Sequence, residues 1–130
     1  MIRAIINKIW KQEGQETIYT PQNTFAQFEL TYNDVLIGHL ILSNGEWTFE
    51  YDKSFEGQNK VQKLIDFPNT TKQYKSNELW PFFSSRIPGL GQPKVQEIIK
   101  RRHIDSHNEV ELLKIFGTRT LTNPFQLAAL

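Results

Sequence analysis

At 130 residues, with 15 Lys and Arg against 14 Asp and Glu and a formal charge of +1, the chain holds material for one domain and not for two independent cores. So even a balance excludes a protein that grips nucleic acid by phosphate neutralisation alone. The absence of cysteine excludes disulfides, thiolate nucleophiles and cysteine-type zinc sites. Apolar residues make up 38%, with nine Phe and three Trp, which is bulk enough for one core.

Ile2, Ile5, Ile6, Ile9 and Trp10 recur at i, i+3, i+4, i+7 and i+8, which predicts a short amphipathic helix, although their β-branching leaves a strand open. This stretch has no signal-peptide core or small-residue cleavage site, and no run in the chain approaches the roughly 18 apolar residues of a membrane span. The expectation is a soluble cytoplasmic protein. Residues 11–24 are polar, carry Gly14 and Pro21, and read as a linker. Residues 1–24 are therefore expected to form an N-terminal extension, helix plus linker, on a domain spanning 25–130.

From Thr24 the pattern alternates. Phe28, Leu30 and Tyr32 stand between Gln27, Glu29 and Thr31, as a half-buried strand requires. Asn33-Asp34 marks a turn. Val35 to Leu42 is apolar on both faces, with Gly38 pointing to a bulge or to close approach by a large ring. Asn44-Gly45 is a strong hairpin signal, because a type I′ turn needs positive φ at both central residues. Trp47, Phe49 and Tyr51 then alternate with Thr48, Glu50 and Asp52. These three strands form an antiparallel meander. Residues 53–77 read mostly as loop, with Leu64-Ile65-Asp66-Phe67 able to pair with a sheet edge. Glu78 to Phe83 is the densest aromatic cluster, and Pro81 prevents a helix from running through it.

The period becomes helical at Gln92. Pro93 suits the first helical position, Val95, Ile98 and Ile99 form a stripe, and Lys100, Arg101 and Arg102 fall in the last turn, where cations complement the dipole. A second helix is predicted from Asp105 or Ser106, with Ser106 to Glu109 as a capping box, Val110, Leu112, Leu113 and Phe116 facing inward, and Gly117 as its stop. Residues 118–130 read as a tail packed through Phe125 and Leu127. The fold class is α+β: a β-meander followed by a C-terminal helical pair in a single domain.

No catalytic constellation emerges. Gly89-Leu90-Gly91 lacks the third glycine and the Gly-Lys-Ser/Thr of phosphate loops and reads as a connection. His39 sits mid-strand, while His103 and His107 straddle a helix boundary, so the histidines read as structural or surface groups and no metal or cofactor is expected. Asp52, Asp66, Glu50 and Glu78 have no nucleophile or ligand set beside them and read as solvated carboxylates. Lys100 to His103 ahead of a second helix has the outline of a helix-turn-helix, yet Glu109 and Glu111 on the expected exposed side do not suit base recognition. What stands out is Leu79-Trp80-Pro81-Phe82-Phe83. A rigid Trp on a loop is a typical interface anchor, and Arg86 can fork onto a partner carboxylate or carbonyl. Phe82 and Phe83 read equally well as core.

The order of these motifs resembles a known family. Leu36 to Asp52, Glu78 to Gly89 and Ile104 to Gly117 are together similar to the N-terminal subdomain of HipA-type serine/threonine kinase toxins, over about residues 25–117. Gly89 stands where the family carries an acidic residue, and residues 118–125 replace its Gly-rich stretch. In that family ATP, magnesium and the catalytic aspartate belong to a kinase core that follows this subdomain. The resemblance thus implies a non-enzymatic module like the stand-alone HipS-like proteins of three-gene toxin–antitoxin systems. Those bind a separate, shortened (HipT-like) kinase and neutralise it, and a helix-turn-helix protein of the same complex handles DNA. On this reading Trp80, supported by Phe82, Phe83 and Arg86, contacts the kinase; neither membrane nor direct nucleic-acid binding is expected. The alternatives are an accessory subunit that completes or regulates the kinase without inhibiting it and, more distantly, a small DNA-binding protein.

Overall fold

The computed structural model describes residues 18–118 and 124–130; the helix expected over residues 2–10 lies outside them. Five strands, β1 (Phe25–Tyr32), β2 (Val35–Ser43), β3 (Glu46–Tyr51), β4 (Tyr74–Ser76) and β5 (Phe125–Ala129), form one antiparallel sheet in the order β4-β3-β2-β1-β5. Among the described residues between β4 and β5 are three helices, α1 (Pro81–Ser84), α2 (Pro93–Arg102) and α3 (Glu109–Phe116). The fold is α+β, as expected.

The meander arises where alternation and turn chemistry agree. Phe28, Leu30, Leu40, Leu42, Trp47 and Phe49 are fully buried on one face, while Gln27, Glu29, His39, Ile41, Thr48 and Glu50 on the other stay half exposed. Both turns are left-handed at their central residues: Asn33 and Asp34 at φ 46° and 69°, Asn44 and Gly45 at 51° and 78°. Gly38 satisfies both readings of its position. The β1–β2 register jumps from Leu30↔Gly38 to Thr31↔Leu36, leaving Ile37 as the extra residue of a bulge. A Cβ on Gly38 would also strike the Glu50 carbonyl and come within 3.0 Å of the Phe49 ring.

Several expectations need correction. The fourth strand is Tyr74–Ser76, not residues 64–67. The backbone there is engaged by one side chain instead: the Tyr51 hydroxyl donates to the Phe67 carbonyl at 2.6 Å and accepts from the Leu64 N–H at 2.8 Å. Leu64 and Phe67 enter the core, and Ile65 is left 96% exposed. The second helix of the pair starts at Glu109 rather than at 105 or 106. Its cap is Asn108, whose Oδ1 accepts from the Val110 and Glu111 amides at 3.0 and 3.3 Å, and no Ser106 capping box forms because Asp105 turns the chain by accepting from the His107 amide. Gly117 does end α3 but at φ −80°. It is needed for space, since a Cβ would collide with the Leu113 carbonyl.

Other elements follow the pattern. Pro93 opens α2, the three cations sit in its last turn, and His103 takes the left-handed cap. The C-terminal tail packs as β5 along the outer edge of β1, with Leu127 buried. At the other end, Ile18 is buried and Tyr19 makes a parallel bridge to Asn108, so residues 18–20 lie against the entry to α3.

Candidate partner-binding site

Trp80 precedes a proline, and the ring of Pro81 forces the residue before it into extended backbone; its ψ is 146°. Pro81 then occupies the first position of α1, where its missing N–H costs nothing. This extended-to-helical step splits the aromatic cluster into two directions. Phe83 turns inward, fully buried, with its ring 5.7 Å from Phe49 and 6.1 Å from Phe67. Trp80 and Phe82 stay half exposed. Trp80 stands edge-on to Phe67 at 5.3 Å and 85°. Phe82 stands edge-on to Phe83 at 5.1 Å and to Phe125 of β5 at 5.5 Å.

Arg86 is only 3% exposed. Its Nε donates to the Gly117 carbonyl, and its Nη2 donates to the Phe125 carbonyl and, at 3.4 Å, to that of Thr118. Among the described residues Nη1 has no hydrogen-bond partner, and no carboxylate pairs with the guanidinium. Burial pushes its pKa down, yet a guanidinium stays charged in proteins. The compensating partial charge comes from the C-terminal end of α3, whose last carbonyls carry the negative pole of the helix.

Of the four residues expected to meet a partner, Trp80 and Phe82 thus lie half buried at the edge of the core, with part of each ring accessible. Phe83 and Arg86 do not: they fix the loop from within. The fork of Arg86 closes on carbonyls of its own chain. Two successive turns beyond α1, closed by the Arg86 and Ile87 amides on the Phe83 and Ser84 carbonyls, carry both residues inward.

The other candidates resolve individually. Asp52 accepts from His39 Nε2 at 2.8 Å through Oδ1 and from the Ser54 hydroxyl and amide at 2.6 and 3.0 Å through Oδ2. The two Ser54 bonds, aided by His39, hold its pKa down at about 2. The ionised carboxylate fixes the His39 proton on Nε2. Ser54 donates to the aspartate and not to the imidazole, so the trio lacks the nucleophile–base contact of a catalytic triad. Glu50 takes the Gln73 amide at 3.1 Å, and Asp66 is exposed. Among the described residues no group of His, Asp or Glu is arranged to hold a metal.

Glu109 is the residue that the sequence misplaced. It is buried, 6% exposed, and not on a solvent face. Its Oε1 accepts from Thr20 Oγ1 at 2.7 Å and from Trp47 Nε1 at 3.2 Å. It stands four residues before the buried Leu113, on the same inward face of α3. Leu90 between Gly89 and Gly91 is buried in a turn, its carbonyl taking the Gln96 amide, and Lys100 to His103 are exposed.

A model of the HipA N-terminal domain matches residues 28–121. The chain belongs to that family. The stretch matching the HipA N-terminal domain opens within β1 and takes in the rest of the meander, the aromatic loop, α2 and α3. Residues 18–20 and β5 fall outside it. No curated protein matches the chain. Among the described residues no helix is long and apolar enough to cross a membrane.

Proposed function

We propose that this HipA N-terminal domain is a non-catalytic module that binds a separate HipA-family Ser/Thr kinase and inhibits it, as the antitoxin of a toxin–antitoxin pair. The observation that carries the reading is Trp80: a half-exposed indole held edge-on by Phe67 on a proline-fixed loop, inside the family's matched stretch. An aromatic anchor that is rigid before binding loses little entropy on docking. The module acts by occlusion, covering the kinase cleft or holding it in a non-productive geometry. Reducing free kinase a hundredfold requires the module at about 100 times its Kd, or about 2.7 kcal/mol, which one Trp hot spot can supply.

Co-expression with the kinase and a binding titration of Trp80→Ala test this together. The expected results are rescue of growth by the wild-type chain and a loss of about 2 kcal/mol in affinity for the folded variant. A kinase that phosphorylates its substrate only when this chain is present is the result that overturns inhibition in favour of a completing subunit. Unchanged affinity of a folded Trp80→Ala variant removes Trp80 from the interface.

A further inference from the structure

Resting on that partner-binding reading, we infer that β5 is a strap that completes the Trp80–Phe82 surface, with Arg86 as its latch, so that docking of the strap and binding of the kinase favour one another. β5 is held more by its backbone than by its side chains. Of its side chains Leu127 alone is buried, Phe125 is half buried, and Gln126, Ala128 and Ala129 are exposed. Along its inner edge it pairs with β1 from Phe28↔Ala129 to Tyr32↔Phe125, a ladder continued by the Leu130 N–H donating to the Gln27 carbonyl at 2.8 Å. Its outer edge is fixed at two points: the Leu127 N–H donates to the Thr118 carbonyl at 3.1 Å, and the Phe125 carbonyl accepts from Arg86.

Those two points matter because the Phe125 ring lies between Tyr32 of β1, 5.0 Å away, and Phe82 of α1, 5.5 Å away. With the strap in place, Phe82 is walled by Phe83 on one side and Phe125 on the other. With the strap lifted, the Phe125 wall is lost, and the buried guanidinium loses a charge-assisted acceptor. Trp80 is different. Its supports, Phe67 and Phe83, belong to the loop and to α1, so it keeps its position whatever β5 does. The strap therefore governs the Phe82 half of the surface and spares the Trp80 half. If a docked strap raises affinity for the partner, the bound partner must raise protection of the strap by the same factor.

The experiment uses the full chain with Phe125→Ala and, as a second variant that removes the latch and keeps the ring, Arg86→Lys. In the free protein, both variants are expected to speed exchange of the Leu127 and Leu130 amides at least about tenfold over wild type while the β1–β3 amides keep their protection. Aromatic resonances of Phe82 shift and the Trp80 indole resonance does not. A strap that exchanges faster while Phe82 stays unmoved overturns the coupling, as does unchanged exchange in both variants. With the purified HipA-family kinase as probe, Phe125→Ala is expected to bind about tenfold more weakly, and the bound kinase to slow Leu127 exchange in wild type; equal affinities overturn the strap's role in binding. If wild type binds no kinase, the partner-binding reading falls, and the response of Phe82 in the free protein still decides whether the strap shapes this surface.

Discussion

The Trp47 indole nitrogen donates to the Glu109 carboxylate at 3.2 Å, tying β3 to the first turn of α3 across 62 positions of sequence. Trp47 is fully buried and Glu109 nearly so, and the carboxylate also meets the positive end of α3. Glu109→Ala leaves the indole N–H with only the longer contact to Thr20 Oγ1 at 3.4 Å. It should destabilise the fold by about 2–3 kcal/mol, and Glu109→Gln, which keeps an acceptor, by about 1 kcal/mol. Urea unfolding of the two variants checks the order; equal losses contradict the assignment of the indole bond.

Asp52 makes stability depend on acid. Its folded pKa of about 2 lies below the ordinary 3.8, so its contribution is fully present above the unfolded value and fades as pH falls from about 3.8 towards 2. Asp52→Asn should flatten that part of the stability curve and leave the protein less stable than wild type at neutral pH. Urea midpoints across the acid range, with a carbon titration of the Asp52 carboxyl, measure both.

Phe83 and Trp80 are close in sequence and opposite in consequence. Phe83→Ala opens a cavity among Phe49, Phe67 and Trp80 and should cost about 3–5 kcal/mol of stability. Trp80→Ala removes a half-buried indole resting on Phe67 and Phe83 and should cost less, about 1–2 kcal/mol. Thermal unfolding separates the two, and only the Trp80 variant is suited to reading partner binding without loss of fold.

Gly38→Ala should destabilise by about 1–3 kcal/mol, because the new methyl meets a backbone carbonyl that cannot yield without parting β2 from β3. Gly91, beside which a Cβ meets nothing within 4 Å, is the control. Its Ala variant should unfold near the wild-type midpoint.

What could be read from the sequence was what is local. Alternation and the Asn44-Gly45 turn define three strands, because hairpin partners lie within a few residues and turn geometry sets their register. Pro93 and the cations of α2 mark that helix at both ends. What escaped was decided by distant partners. The Tyr51 hydroxyl holds residues 64–67 out of the sheet, and Glu109 is drawn inside by Thr20 and Trp47. At the candidate site, the extended backbone of Trp80 followed from its place before proline. The burial of Arg86 depended on where α3 ends and β5 begins, more than 30 positions away.

The clip formed by residues 19 and 20 orders assembly in time. Tyr19 reaches Asp105, and Thr20 reaches Glu109, across 86 and 89 positions, and the Tyr19 carbonyl also receives the Glu109 N–H that opens α3. Two-residue hairpins zip within about 1–10 microseconds, whereas closing so long a loop waits on chain entropy. On a ribosome, β1 to β3 can form early, but Trp47 must wait for its carboxylate acceptor until Glu109 has left the exit tunnel.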